Sequence, residues 1–113
     1  MITGKVVAID FDGTITKNSP YPVMGELREN CKEAIDFIRK NNTVVLWTCR
    51  CGKFLDEAIN LLNENKIVID FVNCIDSSNR DKPRKLNADI YIDDRNIFCQ
   101  EINWLQIKQY FEN

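Results

Sequence analysis

Histidine is absent from this chain of 113 residues, and its absence removes several classes of catalytic site. Ser-His-Asp and Cys-His nucleophile systems, phosphohistidine chemistry and the H-E-x-x-H metal motif all depend on the imidazole group. Acid–base chemistry in this protein would therefore fall to carboxylates, lysine, tyrosine or cysteine.

Long apolar runs and an excess of one charge are also missing. The apolar run from Val6 stops at Asp10, too early for a signal peptide, and no run approaches transmembrane length. Lys plus Arg number 15 and Asp plus Glu number 17, so the net charge of −2 provides no strongly basic field. We expect no membrane partner, and nucleic acid as a partner only in the role of a substrate.

Five cysteines are present, an odd number with irregular spacing, which favours a reduced, cytoplasmic compartment over a disulfide framework. Cys49 and Cys51 are the only close pair, and C-x-C without a second pair is weak evidence for zinc. The length and the hydrophobic fraction of 44% predict a single domain spanning 1–113.

Short apolar runs rich in β-branched residues alternate with segments of helical periodicity. The expected strands are 5–10, 43–48, 67–72 and 88–92, and the expected helices are 26–41, 53–65 and 103–111. Segments 11–25, 73–87 and 95–102 are expected to be loops. This order predicts right-handed crossovers and an α/β fold, a three-layer sandwich around a parallel sheet with strand order 3-2-1-4.

The segment VVAIDFDGTIT, residues 6–16, joins a buried strand to two acids, Asp10 and Asp12. Gly13 then allows a sharp turn. Open α/β sheets bind ligands at the carboxyl ends of their strands, so this segment carries acids to the place where such folds keep their chemistry. A strand that simply ends in an Asx turn is the alternative interpretation.

Polar groups also end two other predicted strands, with Thr48 after the second and Asp93 and Asp94 after the fourth. Parallel strand ends converge on one edge, where several carboxylates repel each other unless a cation lies among them. Oxygen ligands without histidine or paired cysteine favour a hard ion, Mg²⁺. Lys82 or Lys85 can bring positive charge to the same edge, although either is equally explained as a solvated loop residue.

Over essentially its whole length the chain resembles the haloacid dehalogenase (HAD) superfamily of phosphohydrolases. IDFDGT resembles the first motif of that superfamily, LWTCR the second and YIDDRN the fourth. Lys85, or less well Lys82, resembles the third. The motifs occur in the superfamily's order and at predicted strand ends, which makes the resemblance specific.

The resemblance implies a role for each motif residue. Asp10 would attack phosphorus and form an aspartyl-phosphate, while Asp12 would protonate the leaving group and then deprotonate water. Thr48 and the lysine would hold the transferring phosphoryl oxygens. Asp10, the backbone carbonyl of Asp12 and one acid of the Asp93–Asp94 pair would bind Mg²⁺. Asp94 is preferred, because family members with Gly-Asp here align their aspartate with the second residue.

Four further residues of the first and second motifs are candidates for substrate binding: Gly13, Thr14, Cys49 and Arg50. For Arg50 a structural role is an equal alternative. The intervals between motifs leave no room for a cap domain, so the resemblance implies a small capless phosphatase. Its substrate would be a sugar phosphate or a nucleotide or nucleic-acid phosphate end, bound in an open site or one completed by a second copy of the chain.

Other interpretations stay open. Cys74 and Arg80 have the C-x5-R spacing of cysteine-dependent phosphatases, although Asp76 between them would repel phosphate. A receiver-like module, which accepts or binds phosphate without hydrolysing it, also collects acids, threonine and lysine on a parallel sheet. Receivers carry their acid pair at the first strand, whereas this chain carries it after the fourth. A phosphotransferase is a further possibility, and turnover distinguishes an enzyme from stoichiometric self-phosphorylation.

Overall fold

The computed structural model describes residues 1–74, 86–97 and 101–113. Its elements, in chain order, are β1 (Val6–Ile9), α1 (Cys31–Arg39), β2 (Thr43–Leu46), α2 (Gly52–Glu64), β3 (Phe71–Val72), β4 (Ile90–Ile92) and α3 (Trp104–Glu112). Within these ranges, no helix has the length and apolar character needed to cross a membrane.

The four strands form one sheet in the order β3-β2-β1-β4, and every pairing is parallel. β1 is central, with Val7 opposite Val44 on one side and Ile90 on the other. The predicted α/β fold and its strand order are confirmed. Because β1 lies between two parallel neighbours, its carboxyl end opens in the middle of the sheet edge.

Alternate residues of the strands divide the apolar core between the two sheet faces. Val7 and Ile9 belong to a cluster that includes all three helices. The buried helical members of this cluster are Cys31, Ala34, Ile35, Ile38, Ala58, Leu62, Trp104 and Phe111. Ala8 and Val45 point to the opposite face and pack with Leu86 in a second, smaller cluster.

The described helices therefore form one layer on one face of the sheet. No described helix lies on the other face, so the predicted third layer is not seen among the described residues. Residues 75–85, in the connection from β3 to β4, lie outside the described residues. The same is true of most of the predicted 73–87 loop and of residues 98–100 in the predicted 95–102 loop.

α1 begins later than the predicted 26–41 helix, because the residues before it pair with the chain that follows β1. Lys17 N donates to Glu26 O over 2.7 Å, and Arg28 N donates to Ile15 O over 2.9 Å. Asn30 then takes a left-handed conformation, with φ of 62°, immediately before α1. Apolar spacing correctly predicted the body of the helix but could not reveal this antiparallel pairing at its start.

β3 is also shorter than the predicted 67–72 strand. Asp70, just before it, uses its carboxylate to accept from Val44 N over 2.8 Å and from Arg39 Nε over 2.9 Å. A side chain thus takes a bond at this edge that a longer strand would have made with its backbone. At the other end of the chain, Asn103 caps α3 as predicted, since its side chain accepts from Gln106 N.

Candidate functional site

Three carboxylates meet where β1 and β4 end. Asp10 follows β1, Asp93 and Asp94 follow β4, and one oxygen from each lies within 4.8 Å of the others. The parallel register causes this meeting, because Ile9 lies opposite Ile92 and the next residues of both strands emerge side by side. We call Asp10, Asp93 and Asp94 the acid cluster; the structure brings these three predicted residues together.

The acid cluster is electrostatically strained at Asp10. Burial and, after it, the charge of Asp93 raise the pKa of Asp10 from its ordinary value of 3.8 to about 7. Asp94 contributes to this rise, and a hydrogen bond from the Phe11 backbone opposes it. Burial penalises the charged carboxylate, and neighbouring negative charges add to that penalty. An ionised Asp10 therefore needs positive charge close by.

The donor chemistry of the acid cluster fits a hard divalent cation. All of its potential ligands are carboxylate oxygens, which Mg²⁺ prefers over nitrogen or sulfur. A cation among them would relieve the repulsion that raises the pKa of Asp10. In residues 1–74, 86–97 and 101–113 no second group of this kind occurs. Asp10 with Asp94, Asp93 or both could hold the ion.

Thr14 lies between Asp10 and Asp94 and contacts both of these members of the acid cluster. Its side chain is fully buried, and its hydroxyl oxygen accepts from Asp94 N over 3.0 Å. The same hydroxyl lies 3.4 Å from Asp10 Oδ2 and 3.3 Å from Asp94 Oδ1, so its single proton can serve one carboxylate at a time. The structure shows Thr14 in contact with both acids, and its contact with substrate stays a prediction.

Gly13 is required by a close approach at the same place. Its φ is +84°, and a Cβ there would lie 2.4 Å from Asp94 Oδ2 and 2.6 Å from Asn18 Oδ1. Both the conformation and the space therefore favour glycine. The Gly13 carbonyl accepts from Arg28 Nε over 3.1 Å and from Arg28 Nη2 over 2.8 Å, which fixes the turn. Gly13 itself is buried, and its contact with substrate stays a prediction.

Asp12 is two residues from Asp10, yet its carboxylate is outside the acid cluster. Arg50 binds it through two hydrogen bonds, Nε to Oδ2 over 2.8 Å and Nη2 to Oδ1 over 2.7 Å. The side chain of Arg50 is 0% exposed and that of Asp12 is 33% exposed. The predicted acid–base residue is therefore held in a bidentate ion pair.

Arg50 has further partners around its guanidinium. Nη2 donates to Pro22 O over 3.2 Å, and Nη1 donates to Phe54 O over 3.3 Å. The Phe11 and Tyr21 rings lie on it, each with its centroid 5.3 Å from Cζ. The hydrogen bonds from Arg50 to Asp12 raise the pKa of the guanidinium above its ordinary value. Of the two predicted roles for Arg50, this burial supports the structural one.

Thr48 lies at the carboxyl end of β2, on the same sheet edge as the acid cluster. Its backbone N donates to Asn73 Oδ1 over 2.8 Å, and its hydroxyl accepts from Arg50 N over 3.1 Å. Cys49, the next residue, is exposed. The predicted lysine, Lys85, lies outside the described residues, as does its alternative, Lys82.

A cavity of about 270 Å³ opens beside Asp93. Trp47 and Tyr91 line it, and both pack on the sheet face opposite the helices. The cavity is larger than a phosphoryl group and lies next to the acid cluster. A larger groove, of about 450 Å³, lies along the start of α3 and includes no member of the acid cluster.

Two supporting side chains were missed by sequence reasoning. Arg28 binds the carbonyl of Gly13, and Trp104 Nε1 donates to the carbonyl of Thr14 over 2.9 Å. Neither lies in a motif, and the Trp104 contact spans 90 residues of sequence. Trp104 was recognised only as an apolar residue of α3, and no spacing in the chain reveals its hydrogen bond.

Comparison with known proteins provides one strong likeness. No protein-family model matches the sequence, and no curated protein matches it. Among solved structures, the chain is similar to a conserved protein from Bacteroides thetaiotaomicron, with a TM-score of 0.87 and 30% sequence identity. The match covers 97% of this chain and 91% of that one. The chain therefore belongs to the same family as this conserved Bacteroides thetaiotaomicron protein.

Proposed function

We propose that the chain is a Mg²⁺-dependent phosphatase of the HAD superfamily, which hydrolyses a phosphomonoester through an aspartyl-phosphate on Asp10. One observation carries the proposal: Asp10, Asp93 and Asp94 bring oxygens within 4.8 Å of one another where two neighbouring parallel strands end. Phosphoryl transfer depends mainly on positioning and charge neutralisation, and a carboxylate-held Mg²⁺ is a common means of both. The order of the motifs in the sequence supports the same chemistry.

In this mechanism Asp10 is the nucleophile, and Asp12 transfers a proton in each of the two steps. A carboxylate oxygen of Asp10 bonds to phosphorus while the bond from phosphorus to the leaving oxygen breaks. Asp12 gives a proton to that leaving oxygen and later takes one from the water that hydrolyses the aspartyl-phosphate. When bound, Mg²⁺ supplies positive charge that polarises the phosphoryl oxygens and neutralises the acid cluster. The hydroxyl of Thr48 holds a phosphoryl oxygen.

In the proposed enzyme no cap domain covers the site, so the substrate reaches it directly. The chain between β1 and α1 provides local cover, with Tyr21 55% exposed at its tip. Beside Asp93, the cavity between Trp47 and Tyr91 gives room for a group larger than phosphate. These features support an open site that accepts a sugar phosphate or a nucleotide or nucleic-acid end, or one completed by a second copy of the chain.

The test is steady-state release of inorganic phosphate from an aryl phosphate, with Mg²⁺ and with EDTA. We expect many turnovers per chain with Mg²⁺, none with EDTA and recovery when excess Mg²⁺ is added. Asp10→Asn, which is nearly isosteric, should abolish turnover in a folded protein. Cys74→Ser is the matched control and should keep most of the activity, because a free thiol has no step in this mechanism.

Three results would contradict the proposal and identify its rivals. Loss of activity in Cys74→Ser, with resistance to EDTA, would establish the cysteine mechanism. Incorporation of phosphate that stops at one group per chain would indicate a receiver-like module. Transfer of the phosphate to an added alcohol, with little release to water, would make the enzyme a phosphotransferase.

A further inference from the structure

We propose that Arg50 is a positioning residue for this reaction, which holds the Asp12 carboxylate and the loop at Tyr21 and Pro22 in one shared arrangement. The proposal rests on the proposed function and extends it to a residue that touches neither phosphate nor metal. Its observation is the complete burial of a guanidinium that binds both of these parts.

The burial of Arg50 is explained only by its partners. A charged side chain withdrawn from water is stable when its hydrogen bonds are satisfied and a counter-charge is close. Arg50 uses its planar fork on both oxygens of Asp12, which holds that carboxylate in a single orientation. Lysine could not reproduce this, because its ammonium group is a point charge without the fork geometry.

The loop is attached to the same guanidinium. Pro22 O accepts from Nη2, the atom that also binds Asp12, and the Tyr21 ring covers one side of the group. Tyr21 also makes an edge contact with Phe54, with ring centroids 6.0 Å apart. Arg50 therefore joins the turn after β1, the loop before α1 and the first turn of α2.

This arrangement has a consequence for the chemistry. Proton transfer requires Asp12 to carry the proton on one oxygen while the other still accepts from Arg50, and to reach the leaving oxygen within hydrogen-bond distance. A small loss of orientation therefore has a large effect on that step. A released Asp12, already one-third exposed, would spend much of its time in other rotamers. The loss should therefore fall on substrates whose leaving group needs a proton.

Leaving groups give a readout that general damage to the fold would not produce. An alkyl phosphate expels an alkoxide and depends on the proton from Asp12, whereas an aryl phosphate with an acidic phenol does not. In Arg50→Lys we expect kcat/KM for the alkyl phosphate to fall on the order of 10²-fold, while that for the aryl phosphate falls less than about 10-fold. Both are measured with Mg²⁺ in excess.

Tyr21→Ala is the second variant, and it tests the loop half of the proposal without removing a buried charge. Tyr21 is more than half exposed, so the variant should fold. We expect the same selective loss at a smaller scale, about 3- to 10-fold for the alkyl phosphate. Arg39→Lys is the matched control, because Arg39 also binds an aspartate through Nε but lies away from the site. Its ratio of the two kcat/KM values should equal that of the wild type.

The outcomes separate the inference from the function on which it rests. Selective loss in Arg50→Lys and Tyr21→Ala supports the positioning role. Equal losses for both substrates, or no loss, would overturn it while wild-type turnover and inactive Asp10→Asn leave the phosphatase proposal standing. Absence of turnover in the wild type with either substrate would overturn both.

Discussion

Asp10 and Asp12 differ by two positions in the sequence and have opposite electrostatic surroundings. Asp10 lies among negative charges, with Asp93 and Asp94 beside it, and its pKa is raised to about 7. Asp12 accepts two hydrogen bonds from a buried guanidinium. Among the described residues, no cation forms an ion pair with Asp10. The chain thus provides positive charge for one acid and leaves the other suited to a cation from solution.

The backbone between the two acids explains why they separate. The carbonyl of Phe11 accepts from the N–H groups of Thr14, Ile15 and Thr16, over 3.2, 3.0 and 3.1 Å. The chain therefore wraps tightly around Phe11 as soon as β1 has ended. Asp10 still continues the pairing of the strand, because its N donates to Ile92 O over 2.9 Å, whereas Asp12 lies on the turn and binds Arg50. A single turn can thus place two acids of one motif in different electrostatic surroundings.

The largest expected effect comes from removing the charge of Asp12. Asp12→Asn leaves the guanidinium of Arg50 buried without its counter-charge, so we expect the free energy of unfolding to fall by about 2–3 kcal/mol. Equilibrium unfolding in urea measures this change. Asp36→Asn is the control: Asp36 also pairs with a cation, Lys32, but both side chains are 42% exposed on α1. Its loss should be below about 0.5 kcal/mol.

If the two variants lose the same stability, the Arg50 pair contributes no more than a surface ion pair. The claim that Asp12 is stabilised by a buried counter-charge would then be wrong. The urea m-value should remain unchanged, because the surface that unfolding exposes is nearly the same in both proteins.

The next effect has the opposite sign. Without metal, the folded state holds the proton of Asp10 more tightly than the unfolded chain, since its pKa is about 7 against 3.8. Stability should therefore decline as the pH rises from about 4 to about 7 and then level off. Asp10→Asn removes this dependence, so above pH 7 the variant should be more stable than the wild type. A rise of about three pKa units corresponds to about 4 kcal/mol, and solvent screening of this partly exposed carboxyl reduces the expected gain to the order of 1–2 kcal/mol.

Thermal unfolding in EDTA at about pH 5 and pH 8 measures the difference between wild type and Asp10→Asn. Excess Mg²⁺ should raise the wild-type Tm at pH 8 and have little effect on the variant. A wild type that is equally stable at both pH values without metal would contradict the strain that we assign to the acid cluster.

The two regions also differ in how far sequence alone could predict them. The acid cluster could be predicted because it depends on strand ends. Asp10, Asp93 and Asp94 each follow an apolar run, and parallel strands bring such ends together. The strand order followed from alternation of strands and helices. Even the capping of α3 by Asn103 could be deduced from local pattern.

The Arg50 pair could not be predicted, because it depends on the direction of side chains in irregular segments. Arg50 and Asp12 are 38 residues apart. The turn after β1 and the turn before α2 lack the regular apolar spacing that predicts side-chain direction in helices and strands. The same limit hid the pairing of 15–17 with 26–28, which delays α1. Burial of a charged residue among its partners is a property of the assembled fold. The sequence alone therefore leaves a substrate-binding role and a structural role equally open for Arg50.

The smallest effect isolates the support beneath the acid cluster. Thr14→Val preserves the β-branched shape and removes the hydroxyl that accepts from Asp94 N. The buried N–H loses its partner, so we expect a loss of about 1 kcal/mol in stability. Asp94 also loses orientation, so Mg²⁺ affinity, measured by titration calorimetry, should fall several-fold. Thr14→Ser keeps the hydroxyl and should bind Mg²⁺ as the wild type does. Because neither a hydrogen bond nor an ion pair joins Thr14 to Asp12 or Arg50, combining Thr14→Val with Arg50→Lys should give additive losses in stability. A coupling above about 0.5 kcal/mol would mean that the surroundings of the two acids are not separate, and the contrast between Asp10 and Asp12 would fail at its base.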